Sequence, residues 1–409
     1  MTPATLPPAV WRDAEGLKRV ITALTDGSGS PRIVGGAVRD TLLGLSVTDV
    51  DLATTLLPEA VIDRLEAAGI KAVPTGLDHG TVTAVADGKN YEITTLRRDV
   101  ATDGRRAIVS FSTDWKEDAA RRDFTFNALY AEPITGEIFD YFGGLADLDD
   151  GTVRFIGNPD ERIAEDHLRI LRYFRFLARF GEGAVDQAAI AACSAAANSL
   201  MALSRERIAG ELLKLLALPD PRQSVSLMVR NKIFDSFLPE CAGDAAQSID
   251  RLCQREQEFG YLPSLPARLI SIMVRNAAAV EKACIRLKLS NKLRIETLIR
   301  LELNEPSADS IRAFAYRRSV EAARDSAMLF ADDEFVEAIL ERLQRWEVPA
   351  FQLKGRDLIK RGLTAGPIVA KILQSIEIQW IAEGFPAETR LNAIADQTVT
   401  EALSASKKS

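Results

Sequence analysis

Along the first 150 residues, short β-branched runs alternate with segments of helical spacing. Residues 32–34, 48–53 and 138–142 read as strands, and 81–86 and 91–96 flank Asp87-Gly88 as the arms of a hairpin. A helix is predicted over 37–43, closed by Gly44, and another over 58–68, with Pro58 at its start and Gly69 at its end. Segment 97–119 is polar with one glycine and predicts a mobile loop. From about residue 160 the strand pattern fades. Runs such as EDHLRILRYFRFLARF and RERIAGELLKLLAL place leucines at helical spacing. Breaks fall near Gly157-Asn158-Pro159, Pro219-Asp220-Pro221 and Leu262-Pro263-Ser264, and the closing SASKKS reads as a frayed tail. The pattern is that of a mixed α/β head followed by an all-helical remainder.

Composition narrows this picture. A chain of 409 residues exceeds one ordinary core and suggests two to four domains. With 47% apolar and 27% charged residues it has a soluble globular balance. No apolar run reaches the length of a membrane span, and the first residues lack the charged and apolar regions of a signal peptide. Cys193, Cys241, Cys253 and Cys284 lack CxxC spacing, which argues against a zinc site or a disulfide framework and fits the cytoplasm. Two histidines, His79 and His167, exclude multi-histidine metal chemistry. A net charge of −7 argues against a generally basic surface, yet residues 266–300 hold eight Lys or Arg against two Glu.

Chemistry concentrates in RIVGGAVRDTLLGLSVTDVDLATT, residues 32–55. Alternate strand residues share a face, so Asp49 and Asp51 would aim two carboxylates at one point while Val50 and Leu52 enter a core. Mg²⁺ takes carboxylate oxygens together with substrate phosphates. Gly35-Gly36 lets the backbone approach a ligand, and the following helix offers N–H groups to an anion. Glu92, in YEITTLRRD, is either a third carboxylate or a solvent-facing strand residue. In ARRDFTFNALY, residues 120–130, Arg122 suits phosphate, Asp123 suits ribose hydroxyls, and Asn127 is placed to tie the local backbone.

In ERIAEDHLRILRYFRF, residues 161–176, Asp166, Arg169 and Arg172 follow an i, i+3, i+6 spacing that lines one helix face. An Arg donating to a ring acceptor beside an Asp accepting from an exocyclic amine matches cytosine and adenine, and mismatches uracil and guanine. Glu165 and Arg175 would orient their neighbours. In SRERIAGELLKLL, Ser204 suits a helix N-cap and Leu212, Leu215 and Leu216 a core, so this segment reads as structural support.

With these pieces in this order, the chain resembles the class II tRNA nucleotidyltransferases, the family of CCA-adding enzymes and bacterial poly(A) polymerases. The resemblance rests on GGAVRDTLLG, DVD, RRDFTFNAL, EDHLR with its second RxxR arginine, and SRERIAGELLKLL, across residues 32–216. Phe126 stands where the family usually has a smaller aliphatic residue. The resemblance implies an α+β fold: a polymerase-β-like nucleotidyltransferase head with a mixed sheet, followed by an all-helical neck, body and tail. The expected limits are 12–150 for the head, 151–220 for a base-reading neck, and 221–409 for a tRNA-binding body and tail.

The resemblance further implies template-independent addition of C, C and A to the tRNA 3′ end from CTP and ATP. Asp49 and Asp51 would hold Mg²⁺, with Glu92 a candidate third catalytic carboxylate. Gly35, Gly36 and Arg39 would frame the triphosphate, Arg122 and Asp123 serve phosphate and ribose, and Asp166 and Arg169 select the base. Glu165 would steady Arg169, with Arg172 near the base. LKLSNKLR, residues 287–294, suggests RNA contacts at Lys288, Lys292 and Arg294, joined by Arg286 just before it. The nearest rivals are a poly(A) polymerase and an A-only or CC-only enzyme. The segment KAVPTGLDHGTVTAV, residues 71–85, is neither basic nor aromatic and disfavours the first. A non-catalytic RNA-binding protein is the rival from another class, and both intact aspartates disfavour it. Oligomeric state is not legible.

Overall fold

The computed structural model describes residues 4–25, 30–102 and 107–406. The chain forms two compact units, 1–246 and 247–409. The head and the first helices beyond it share the first unit, which runs on past residue 220 to take in one further helix. The helix that follows Pro221, over Arg222–Arg230, stays with the first unit. Its Ser224 hydroxyl donates to the carbonyl of Phe174 at 2.8 Å.

The first unit is built on a mixed sheet of strands β1 (Arg32–Val34), β2 (Asp51–Thr54), β3 (Lys71–Gly76), β4 (Thr81–Ala86), β5 (Lys89–Thr95), β8 (Leu129–Ala131) and β9 (Ile138–Asp140). Between them in sequence, β6 (Arg97–Thr102) and β7 (Ala107–Phe111) form a separate two-stranded ribbon. The large sheet has the order β3-β4-β5-β2-β1-β8-β9, with β2 and β5 parallel and its other neighbours antiparallel. The hairpin expected at Asp87-Gly88 is present, with both residues at positive φ (49° and 74°), the conformation that matches strand twist in a two-residue turn.

Helices α1 (Glu15–Leu24), α2 (Gly36–Leu42) and α3 (Pro58–Ala67) follow in chain order. Leu17, Val20 and Leu24 of α1 and Val61 and Leu65 of α3 pack with Ile33, Leu52, Val82 and Ile93 in one core on one face of the sheet. On the other face Val34, Ala53, Leu96, Ala119, Ala128, Tyr130 and Ile156 form a second cluster. The polar stretch 97–119 departs from its expectation. It is the ribbon β6–β7 followed by α4 (Trp115–Ala120), with residues 103–106 outside the described residues. Asp114 caps α4 by accepting from the Lys116 N–H at 2.8 Å.

Beyond β9 the unit is helical: α5 (Gly144–Asp149), α6 (Pro159–Glu165), α7 (Leu168–Phe180), α8 (Gln187–Ala195), α9 (Arg205–Leu216) and α10 (Arg222–Arg230). Asn158 caps α6, and Pro159 occupies its first turn. Ser204 caps α9, whose Leu212, Leu215 and Leu216 are buried as expected. An aromatic cluster joins the head to α7. Phe124 and Phe126 stack at 5.6 Å, and both meet Phe176 edge-on at 5.3 and 5.4 Å. Phe126 is fully buried there, so the larger ring at this position fills space between head and neck.

The regular elements of the second unit are helices, from the body of α11 (Ala245–Glu258) through α12 (Leu265–Ser271), α13 (Ala277–Arg286), α14 (Asn291–Arg300), α15 (Ser310–Arg317), α16 (Val320–Phe330), α17 (Asp333–Glu341), α18 (Gly355–Lys360) and α19 (Pro367–Ala382) to α20 (Glu388–Ser406). Residues 404–406 of the expected tail continue α20, and 407–409 lie outside the described residues. No described helix is long and apolar enough to cross a membrane.

Candidate active site

The carboxylates sit on the sheet face opposite the α1–α3 core. Only Asp51 begins β2; Asp49 lies in the preceding loop, so the strand expected over 48–53 starts three residues late. The alternation survives this. Val50 and Leu52 enter the core, whereas Asp49 and Asp51 stay exposed. Glu92 on β5 is the direct register partner of Asp51 on parallel β2, which sets the two side chains on one face. Crowding by the surrounding protein and repulsion from Glu92 push the Asp51 carboxyl up to about 6, against the attraction of Arg122. Asp49 accepts a hydrogen bond from the Thr48 hydroxyl at 2.9 Å.

Among the described residues no ion pair neutralises Asp49, Asp51 or Glu92, and no three His, Cys, Asp or Glu side chains are grouped so as to hold a metal ion by themselves. Hard oxygen donors whose mutual repulsion a cation would relieve, in a number short of a full shell, fit Mg²⁺ shared with a phosphate.

Behind these carboxylates, β1 runs into α2 through Gly35. Its φ of +68° and ψ of −118° suit glycine alone, and a Cβ there would stand 3.6 Å from an Arg122 guanidinium nitrogen. Arg122 is held from below by Asp118 on α4. This carboxylate accepts from Arg121 Nε at 2.8 Å, Arg122 Nη2 at 3.2 Å, the Tyr130 hydroxyl at 2.6 Å and the Arg97 N–H at 3.3 Å. Burial alone would raise Asp118, but Arg122, Arg121 and the Tyr130 hydrogen bond outweigh it and hold the group at about 2.

A second buried chain crosses from α2 to α7. Arg39 Nη1 donates to Asn127 Oδ1 at 2.5 Å, Asn127 Nδ2 donates to Asp123 Oδ1 at 2.9 Å, and Arg172 Nε donates to Asp123 Oδ2 at 2.7 Å. Arg39 also lies over the rings of Phe176 and Phe180. Asp123, expected to face ribose, turns inward instead. Its oxygens are taken by Asn127, Arg172 and the Phe124 N–H, which lower its proton affinity despite burial. Asn127, expected to tie the local backbone, bonds side chains instead, and through Arg39 and Asp123 it links α2 to α7.

The residues expected to read the base do not share a single helix face. Asp166 stands in extended backbone (φ −149°, ψ 104°) between α6 and α7, where its Oδ1 accepts the Leu168 N–H at 3.1 Å. Arg169 and Arg172 are one turn apart on α7. Glu165 steadies Arg169 as expected, at 2.6 Å, and Arg169 also donates to the carbonyls of Arg162 and Arg121, each at 2.9 Å. Arg175 pairs with Glu211 of α9 at 2.6 Å, both buried.

Three contributors escape the sequence reading. Asp118 precedes Arg121 and Arg122 by three and four residues, a helical spacing that would have exposed it. Asp140 accepts the N–H groups of Phe142, Gly143, Gly144 and Leu145 at 2.8–3.1 Å and fixes the turn into α5. Arg207 donates to Asp166 Oδ2 at 2.8 Å, a pairing across 41 residues that no local pattern announces.

Within the second unit, the basic window is less open than its charge suggests. Arg268 and Arg300 are buried against Glu256 and Asp325, both at 2.7 Å. Arg294 pairs with Glu281 at 2.9 Å, and Lys292 lies 3.9 Å from Glu296. Lys288 and Lys292 are exposed, and Arg286 is half-buried.

Comparison with known proteins agrees with this arrangement. Residues 31–154 match the model of the Poly A polymerase head domain, and 184–244 match that of a probable RNA- and SrmB-binding site of polymerase A. The chain is 35% identical over 389 residues to the mitochondrial CCA tRNA nucleotidyltransferase 1 of Mus musculus, covering 91% of this chain and 88% of that protein. It is 33% identical to the CCA-adding enzyme of Lacticaseibacillus paracasei, over 87% of this chain and 89% of that one. Its fold superposes with a TM-score of 0.74 on the Bacillus stearothermophilus CCA-adding enzyme in complex with CTP, at 26% identity, covering 96% of this chain and 100% of that chain. With similarity of this extent running through head and helices alike, the chain belongs to the class II CCA-adding tRNA nucleotidyltransferase family.

Proposed function

We propose that this protein adds C, C and A to the 3′ end of tRNA from CTP and ATP without a nucleic-acid template. The observation that carries the reading is the pairing of Asp51 with Glu92 on adjacent strands, beside Asp49 and in front of the braced Arg122. Near-full-length similarity to CCA tRNA nucleotidyltransferases supplies the substrate class.

Asp49 and Asp51 would hold Mg²⁺, with Glu92 close enough in register to contribute. An ion held there would supply charge neutralisation at the triphosphate and would ease ionisation of the attacking 3′ hydroxyl. The chain's own groups do the rest. Gly35 and Gly36 bring backbone N–H groups to the triphosphate, and Arg122, its guanidinium fixed by Asp118 and Tyr130, balances phosphate charge. Asp123 serves by fixing Arg172 and Asn127.

Asp166 would accept from the N4 amine of cytosine or the N6 amine of adenine. Arg169, locked by Glu165 and the Arg121 carbonyl, would donate to the adjacent ring nitrogen. In the second unit Arg286, Lys288, Lys292 and Arg294 are the proposed tRNA contacts. Four cysteines outside any disulfide, three of them buried, fit the reducing cytoplasm.

The test is incorporation of labelled CMP into tRNA lacking CCA, by the wild type and by Asp51→Asn. Loss of incorporation with tRNA affinity kept supports the reading, whereas incorporation at the wild-type rate refutes the carboxylate assignment.

A further inference from the structure

Asp166 is the acceptor in the proposed base-reading pair, yet its own backbone does little to aim it. It sits in extended conformation at the junction of α6 and α7, outside any helical ladder. Two donors fix its carboxylate instead. The Leu168 N–H takes Oδ1 at 3.1 Å, and Arg207 Nη2 takes Oδ2 at 2.8 Å. The neighbouring charges are otherwise engaged. Glu165 pairs with Arg162 and Arg169, and Arg172 pairs with Asp123. Among the described residues, Arg207 is the one cation hydrogen-bonded to Asp166.

Arg207 is itself well placed to act as a brace. It lies in the first turn of α9, where its backbone N–H is capped by Ser204. Glu211, one turn further along the same face, pairs with Arg175 of α7 in a buried contact at 2.6 Å. The helix α9 therefore reaches α7 and its leading junction through two pairs of opposite polarity. The buried pair sets the register, and the outer pair reaches the base-reading carboxylate. The segment earlier read as structural support thus extends into the site.

We infer that Arg207 is a specificity-determining positioning residue, which acts through Asp166 to favour amino-bearing bases. The inference rests on Asp166 reading the base. Each oxygen of the carboxylate keeps a lone pair after its first bond. With both oxygens pinned, these lone pairs point in fixed directions. The exocyclic amine of cytosine or adenine meets an acceptor, and the carbonyl of uracil or guanine meets the same lone pair and is rejected. A carboxylate released from Arg207 rotates about its side-chain bonds, so it holds the right base less well and turns away from the wrong one.

The experiment measures kcat/KM for CTP and UTP on tRNA lacking CCA, and for ATP and GTP on tRNA ending in CC. It compares the wild type with Arg207→Ala, Arg207→Lys and Asp166→Ala, and a thermal melt of each variant confirms folding. Arg207→Ala is expected to lower the CTP/UTP and ATP/GTP ratios by about tenfold, the scale of one hydrogen bond to a charged group. Arg207→Lys, which still donates a charge-assisted bond, is expected to recover part of that loss. A partly exposed ion pair with no part in recognition would leave both ratios unchanged. Unchanged ratios in Arg207→Ala, with Asp166→Ala lowering them, overturn the inference alone. Unchanged ratios in Asp166→Ala overturn the base-reading assignment and the inference with it.

Discussion

Replacing Asp118 by Asn tests how the head braces its arginines. The carboxylate is about 1% exposed and accepts from two guanidiniums, a phenol and a backbone N–H. Its proton affinity falls from the ordinary 3.8 to about 2. At about 1.36 kcal/mol per unit, that preference for the charged form amounts to roughly 2 kcal/mol. A depressed carboxylate stabilises the fold fully above the unfolded value, and the stabilisation is lost as pH falls through the folded one. Asp118→Asn should therefore cost about 2 kcal/mol at pH 7 by urea unfolding of the first unit. The gap should shrink to about half by pH 3. Loosening Arg122 should also raise the KM for nucleotide several-fold. A variant within about 0.5 kcal/mol of the wild type at pH 7, with unchanged nucleotide KM, would refute the bracing role.

Three further outcomes follow from the geometry. Because crowding and Glu92 raise Asp51 to about 6, Mg²⁺-dependent kcat/KM should fall as pH drops through about 6, and Glu92→Gln should move that inflection to lower pH. At Gly144 a Cβ would stand 2.4 Å from the Thr125 carbonyl oxygen and 2.7 Å from its carbon, so Gly144→Ala should destabilise by about 1–3 kcal/mol in a thermal melt. Lys288→Ala and Lys292→Ala should each reduce the slope of log affinity for tRNA against log salt by about one, measured by filter binding.

Local signals carried much of this fold. Gly35, Gly44 and Gly69 all take positive φ where the sequence placed turns and helix ends, and Asp87-Gly88 closes the hairpin. Strand β3 and helix α1 were missed. The β3 run has no clean alternation, its burial running half-buried to exposed, while α1 lies upstream of the glycine and carboxylate motifs. In the ribbon only β6, RRDVAT, is largely polar; the apolar AIVSF run of β7 lay within a stretch dominated by charged residues.

Site residues show the same division. The shared face of Asp49 and Asp51 was legible from strand periodicity, whereas the sequence left Glu92 open until the register of β5 against β2 set it beside Asp51. The inward turn of Asp123 was not, because Arg172 meets it from 49 residues away. Asp166 and Arg207 are likewise joined only by the packing of α9 against α7. The basic window showed charge without showing burial, and Arg268 and Arg300 are paired inside the second unit.

Nucleotide incorporation on three tRNA transcripts tests the central claim most directly. One lacks CCA, one ends in CC and one ends in CCA, each offered CTP and ATP alone and together with Mg²⁺. A CCA-adding enzyme gives CC from CTP alone on the first, a single A on the second, full CCA when both nucleotides are present, and no growth on the third. Long A tails, addition of A alone, or no incorporation on any transcript would contradict that claim.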